Sequence, residues 1–551
     1  MPSIKPQSDY FSQTPTNSKH SVHLFHLFYS YFYQAHPFIL PREYLSEKLS
    51  KADLQPLRYA IDYIGSCYDP TMHRQHFQRT AECELLKQDI SRDVYSVQAL
   101  LIFSIGLISS DERAKAELSL KLAINLALEL GMNRREFAWP DGQGCPVNEE
   151  SWRRTWWELY IIDGHFAAAH PSKTFRLLTV PADTLLPCED GEYFSGQIPS
   201  SHSIDEFTER CFSSASTDFS SYAYRIEAIR IYAKALCLES NSFIESQLVD
   251  DADASLMSFW LYLPDTKKRL VGLDGRFDEV LFQAHMLVYS ATMLLHRSRS
   301  SLAYTQGTHD NGNTAGQNAF QPGNLDFHTG KTLYAADMIA KLVTVPRPMV
   351  THSPLFACGL ALSCIVHLTA WPLFVNDGTA NGVHIADVTE KASLSYYESP
   401  EQFYSATDPN SGNMNPYADQ GRYASPMSSQ SSYSTGYRSD GQQKIKDKIQ
   451  LQVGALLNLG KVWPSASKQM ESVKLISRQV FAWSKTKQME VSLASQSGLA
   501  ASGVAPDLMF NSGLIDFLWN RVDDWTTNAS YDFSQINDLD ASLLHGFHME
   551  G

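Results

Sequence analysis

Cysteine is sparse in this chain and never paired. Eight cysteines are scattered through 551 residues, at positions 67, 83, 145, 188, 211, 237, 358 and 364. None forms Cys-x-x-Cys, so neither a thiol-based zinc site nor a redox pair is legible. Cys358 and Cys364 fall in an apolar stretch and are expected to be buried thiols. No run approaches the 18 or so apolar residues that a membrane helix needs, and the start, Met1-Pro-Ser-Ile-Lys-Pro, is too polar for a secretory signal. A reducing compartment, cytosol or nucleus, is therefore expected. Positive charge is short as well. The net charge is -15, and the densest basic run, Lys444-Ile-Lys-Asp-Lys448, is interrupted by an acid. A face that grips DNA phosphates needs clustered Lys and Arg. Catalytic signatures are missing too: no Gly-x-Ser-x-Gly, phosphate loop, dinucleotide fingerprint or His-Glu-x-x-His is found, so no catalytic residue is assigned and the chain is not expected to be an enzyme. Asp163-Gly-His165 is the compact acid–His pair. Two residues apart on a helix, they do not face each other.

What the chain does contain is helical periodicity. The stretch 109–181 organises the rest. Ser109 and Glu112 have the spacing of a capping box, and Gly131 stands where a helix would stop in the left-handed conformation. Between them, Ala116, Leu120, Ala123, Ala127 and Leu130 form one apolar stripe, and Leu118, Leu122 and Leu126 a second. Two stripes predict neighbours on two sides. The next helix, Glu149-Glu-Ser-Trp-Arg-Arg-Thr-Trp-Trp-Glu-Leu-Tyr-Ile-Ile-Asp163, stacks Trp152, Trp156 and Tyr160 at four-residue steps as core. Glu149 and Glu150 precede Arg153 and Arg154 by four residues, the orientation of helix-surface ion pairs worth about 0.2–0.5 kcal/mol each.

Earlier in the chain, Phe25, Phe28 and Phe32 share a helix face that Pro37 ends. His20, His23 and His26 recur at three-residue steps without a carboxylate or cysteine at ligand spacing, and read as a helix face. Residues 54–67, 73–90 and 91–107 read as helices. Residues 175–181 read as extended, 205–247 as one or two helices, and 276–297, 329–343, 354–374, 444–459 and 465–483 as helices. His285 lies on an apolar side and reads as a satisfied core histidine. Residues 303–328, rich in Gly, Asn, Thr and Gln, read as a flexible insertion. The fold class expected is all-α, a multi-helix array of stacked helical pairs with long disordered insertions. Residues 1–20 form a disordered tail, 21–375 the helical domain, 376–442 a disordered internal loop rich in Ser, Tyr, Gly and Asn, and 443–485 the closing helices of the same domain. In 486–551, acids alternate with bulky apolar residues. Phe517, Trp519, Trp525 and Phe533 there have the composition of an activation segment.

The order of Ala/Leu helix, Gly131-Met-Asn-Arg134 turn, Glu150-Ser-Trp-Arg-Arg-Thr-Trp-Trp157 helix ending in Asp163, and Ala169-His-Pro171 step resembles the regulatory region of fungal zinc-cluster transcription factors, often called the middle homology region. The aromatic helix running into His36-Pro37 and the Trp463-Pro-Ser-Ala466 junction resemble the same family. The resemblance makes Gly131, Arg134, Glu150, Arg153, Arg154, Trp156, Trp157, Asp163 and Pro171 the family-motif residues, with a structural or regulatory role. It implies nuclear regulation of RNA polymerase II transcription, through coactivators and homo- or heterodimers, with a small-molecule effector as a further partner and no membrane. Family members bind zinc through an N-terminal six-cysteine cluster. No cysteine precedes Cys67, so neither zinc nor another cofactor is expected in this chain, and DNA contact is expected to be lost or supplied by a partner or a missing segment. The alternatives are a metabolite-sensing or dimerisation module without DNA contact that modulates a full-length relative, and, less in keeping with the motifs, a helical biosynthetic enzyme.

Overall fold

The computed structural model describes residues 15–497, apart from 52–53, 88, 143, 170–173, 213–217, 240–245, 273–274, 303–321 and 377–433. The helices are α1 (Pro15–Leu27), continued by a π-helical turn (Phe28–Phe32), α2 (Arg42–Lys51), α3 (Gln55–Cys67), α4 (Arg74–Leu85), α5 (Val94–Ser109), α6 (Arg113–Leu130), α7 (Ala138–Asp141) and α8 (Pro146–Ala169). After a 3-10 turn (Arg176–Thr179) come α9 (Asp190–Ser195), α10 (Ile204–Thr208), α11 (Ser221–Glu239), α12 (Ser246–Leu261), α13 (Asp265–Lys268) and α14 (Glu279–Arg297). The last are α15 (Pro322–Leu342), a 3-10 turn (Met349–Thr351), α16 (Phe356–Asn376), α17 (Ser434–Gly460) and α18 (Pro464–Ser497). Among the described residues the extended pairing is one isolated bridge, Val271 to Phe277. The chain is all-α.

Helices pair with sequence neighbours, and the pairs stack. α5 packs between α3 and α6, α14 between α11 and α15, and α16 against α15, α17 and α18. α18 returns to touch α5, so the end of the described chain closes on its beginning. α8 bridges α5 and α6 on one side and α11 on the other. Its aromatic stripe, Trp152, Trp156 and Tyr160, is buried as expected, and Trp157 with it.

The corner between α5 and α6 differs from the capping box expected there. Ser109 is the last residue of α5, and its hydroxyl donates to the Ile105 carbonyl (2.6 Å). Glu112 stands at the N-cap of α6 without a side-chain capping bond. Asp111 turns left-handed (φ 63°), its N–H donates to the Ile108 carbonyl (3.1 Å), and the Glu112 N–H reaches the Leu107 carbonyl (2.9 Å). That is a Schellman closure of the preceding helix. Gly131 (φ 78°) closes α6 in the same way, through Gly131 N–H to Leu128 and Met132 N–H to Ala127.

Other expectations shift at their edges. Leu118 is half exposed, so the second stripe of α6 begins at Leu122. Residues 176–179 form a 3-10 turn where extended chain was expected. The region 205–247 falls into α10, α11 and the start of α12. α15 begins at Pro322 and α17 at Ser434, each inside a stretch read from composition as irregular. Cys364 is buried as expected, but Cys358 is exposed, because it sits on the rim of a cavity. His285 is a core histidine, its Nε2–H donating to the Lys267 carbonyl (3.2 Å).

Candidate functional site

The centre of the molecule is a short irregular segment, Ala35–Pro41, buried throughout. A buried carbonyl without a partner is unfavourable by about 1–3 kcal/mol, so each needs a donor. Side chains from three helices and α1's extension supply them. Gln283 Nε2 donates to Ala35 (2.8 Å), Arg154 Nη1 to Pro37 (3.1 Å) and Ser151 Oγ to Phe38 (2.9 Å). Tyr33 (3.1 Å) and Tyr193 (2.9 Å) both donate to Ile39, and Tyr29 donates to Leu40 (2.7 Å). The His-Pro motif is thus a buried loop that α8 wraps.

Two ion-pair layers on α8 hold this loop. In the first, Glu150 and Arg154 are both fully buried. Glu150 Oε1 accepts from Arg154 Nε (2.8 Å) and from the Cys188 N–H (2.9 Å), while Oε2 accepts from Arg153 Nε (3.1 Å). Arg154 goes on to Asp190 Oδ1 (2.6 Å) and the Cys188 carbonyl (2.8 Å), with its guanidinium 4.2 Å from the Tyr193 ring centre. These are buried pairs, where the sequence led to surface pairs. The i,i+4 geometry is right, but the loop 186–190 covers the polar face, and every Arg154 nitrogen is used.

One turn further along α8, Glu158 accepts four bonds at zero exposure. They come from Arg225 Nη1 (2.7 Å) and Nη2 (3.0 Å), Tyr222 Oη (2.9 Å) and His36 Nδ1 (2.7 Å). Burial raises the Glu158 carboxyl, but the Arg225 guanidinium and the His36 bond outweigh it and hold it at about 2. Burial lowers His36, so the imidazole is neutral. Its Nδ1–H then donates to Glu158, and its Nε2 accepts from Ser353 Oγ (3.1 Å). Beyond Ser353 the web continues to Glu279, which pairs with His352 Nδ1 (2.8 Å). Glu158 and Arg225 carry no sequence expectation, and His36 was expected only as part of the His-Pro motif. The legible signal was a charged residue at an otherwise apolar position of a helix.

The remaining motif residues have separate places. Asp163 is buried at the end of the same stripe, and its Oδ2 accepts the Leu177 N–H (2.8 Å). Burial raises its carboxyl to about 6. Trp157 Nε1 donates to the Leu185 carbonyl (3.0 Å), and Tyr160 Oη accepts from Arg230 (3.2 Å). Trp156 is enclosed, its Nε1 without a partner among the described residues. Arg134 is exposed on the turn after Gly131, beside Asp183. Pro171, and the activation-segment residues Phe517, Trp519, Trp525 and Phe533, lie outside the described residues. His20, His23 and His26 stand on an exposed face of α1. Among the described residues no group of three or more His, Cys, Asp or Glu side chains could hold a metal ion.

Residues 11–259 match the family model described as "Fungal specific transcription factor domain". Over those residues the chain is similar to a fungal specific transcription factor domain. The match begins ahead of α1 and takes in the buried loop, α8 and both ion-pair layers, and it ends within α12. The C-terminal helices α14–α18 extend the array beyond it. The chain is also similar to the C6 finger domain transcription factor iacK of Pestalotiopsis fici, at 35% identity over 350 residues, which is 63% of this chain and 52% of the relative. It therefore spans about half the length of the curated relative it matches. No solved structure matches it. Among the described residues no helix is long and apolar enough to cross a membrane.

Proposed function

We propose that this chain regulates transcription in the nucleus, as the regulatory part of a zinc-cluster-type factor and not as an enzyme. The match of residues 11–259 to a fungal specific transcription factor domain carries this reading. The buried loop and its ion-pair layers support it, because they make the motif helix α8 a rigid frame. The DNA contact comes from a partner or from a segment outside this sequence, and zinc enters only through that segment. Residues 486–551 recruit a coactivator through Phe517, Trp519, Trp525 and Phe533, and homo- or heterodimers are the working form.

Fusing residues 505–551 to a heterologous DNA-binding domain tests the activation step. Reporter output is expected to rise, and to fall again when Phe517, Trp519 and Trp525 become Ala. A fusion that is silent removes the activation segment from the proposal. A fluorescent fusion of the whole chain that stays out of the nucleus removes the rest.

A further inference from the structure

A cavity of about 340 Å³ lies where α18 closes on the rest of the array. That volume is at the lower end of the range for small-molecule sites. Its walls come from six places: the α5–α6 corner, α8, α11, α14, α16 and α18. Most of the lining is apolar, from Phe166, Met286, Leu287, Leu294 and Leu362.

Two polar atoms on this wall are unsatisfied. Ser290 is 4% exposed, and its Oγ has no hydrogen-bond partner among the described residues. His165 Nε2 is equally without one. A hydroxyl on a helix commonly donates to the carbonyl one turn back, as Thr292 does to Val288 (2.9 Å) two residues further along the same helix. Ser290 does not. Gly359 packs closely against it: an added Cβ would lie 2.8 Å from Ser290 Oγ, so only glycine at 359 leaves room for the hydroxyl. Burial and the nearby Arg225 charge push His165 down to about 3, so its ring is neutral and offers one donor or one acceptor. The charged groups are kept at the mouth. Asp111 pairs there with Lys468 (2.6 Å) and Arg113 (3.3 Å), and both cations are more than half exposed.

We propose that this cavity binds a small, uncharged, largely apolar molecule carrying one hydroxyl or carbonyl group. The apolar walls take the body of the molecule. Ser290 Oγ and His165 Nε2 take its polar group, which completes two hydrogen-bonding atoms that the protein leaves open. A charged group at that depth would lack a counter-ion. α18 contributes Ser465, Lys468 and Gln469 to the wall, so the ligand touches the helix that leads toward the acidic C-terminal segment. As the input of a regulatory domain the site rests on the function proposed above. As a binding site it does not, and the test reads binding alone.

Equilibrium dialysis of the purified full chain against 2-naphthol and against naphthalene separates the polar from the apolar part of the recognition. Saturable uptake of 2-naphthol is expected, tighter than that of naphthalene by about tenfold, the worth of one well-made hydrogen bond. Ser290→Ala is expected to erase that preference while the thermal midpoint stays the same or rises, since no internal hydrogen bond is lost. Ala168→Phe, which fills the cavity from α8, is expected to abolish uptake of both compounds with helicity retained by circular dichroism. No saturable uptake by the unaltered chain, equal uptake of the two compounds, or a preference that survives Ser290→Ala would each overturn the proposal. Should Ala168→Phe fail to fold, Ser290→Ala decides it alone. Loss of reporter activity without loss of binding would count against the regulatory reading and leave this site standing.

Discussion

Replacing Glu158 by Gln removes one charge and almost no volume from the centre of the molecule. The carboxylate accepts from Arg225 twice, from Tyr222 and from His36, all without solvent. An amide in its place turns one acceptor into a donor that faces other donors, and it leaves the Arg225 cation buried without its counter-charge. Removing one partner of a buried pair destabilises by about 3–5 kcal/mol. The titration leads to a similar figure. Holding the carboxyl from its ordinary 4.5 down to about 2 corresponds to about 3 kcal/mol of stability. Because the folded value is depressed, that stability is present above pH 4.5 and is lost as pH falls toward 2. The assay is urea denaturation of the full chain at pH 7 and at steps down to pH 3, for the unaltered chain, E158Q, R225M and the double variant E158Q/R225M. E158Q is expected to lower stability at pH 7 by about 3 kcal/mol and to lose part of the acid-side slope. The double variant is expected to lie well above the sum of its parts, with a coupling of at least about 2 kcal/mol. A loss below about 1 kcal/mol in E158Q, or additive effects in the double variant, would refute the view that this pair is a closed, desolvated unit.

Asp163 should behave in the opposite sense. Its folded value is raised to about 6, so its contribution is fully present below pH 3.8 and is lost as pH rises through 6. D163N still accepts the Leu177 N–H, and its urea midpoint is expected to vary less between pH 4 and pH 7 than that of the unaltered chain; an unchanged profile would mean the carboxyl is solvated. Gly164 has α11 against it, with an added Cβ falling 2.5 Å from Ile229 Cγ1. G164A is accordingly expected to overpack the α8–α11 contact and lower stability by about 1–3 kcal/mol in thermal denaturation. A neutral result would show that α8 and α11 can part without loss.

Much of the architecture was legible in the residues themselves. Helix periodicity and stop signals located α3, α5, α6, α8, α14 and α16 to within a few residues, and Gly131 ended α6 because only a left-handed residue closes a helix that way cheaply. The order of the Gly131 turn, the Trp-rich helix and Asp163 was enough to point to the domain that residues 11–259 match, since spacing along one chain is what such a motif records. The capping box at Ser109 was misread for a local reason. A short corner carries the end of one helix and the start of the next, and Asp111 in a left-handed conformation leaves no mark in the sequence as glycine would.

What sequence could not decide is which polar faces are covered. Periodicity shows where a helix is apolar. It does not show whether another segment lies across its charged side. Glu150 and Arg154 look like a surface pair on an isolated helix and become a buried one because Cys188 and Asp190 fold over them. His36 and Glu158 are 122 positions apart, and Arg225 lies 67 beyond Glu158. The cavity behind Ser290 needs six separate segments before it exists at all. Local spacing set the helices, and the pairing of charges and the hollow between them arose only when distant helices removed water from both.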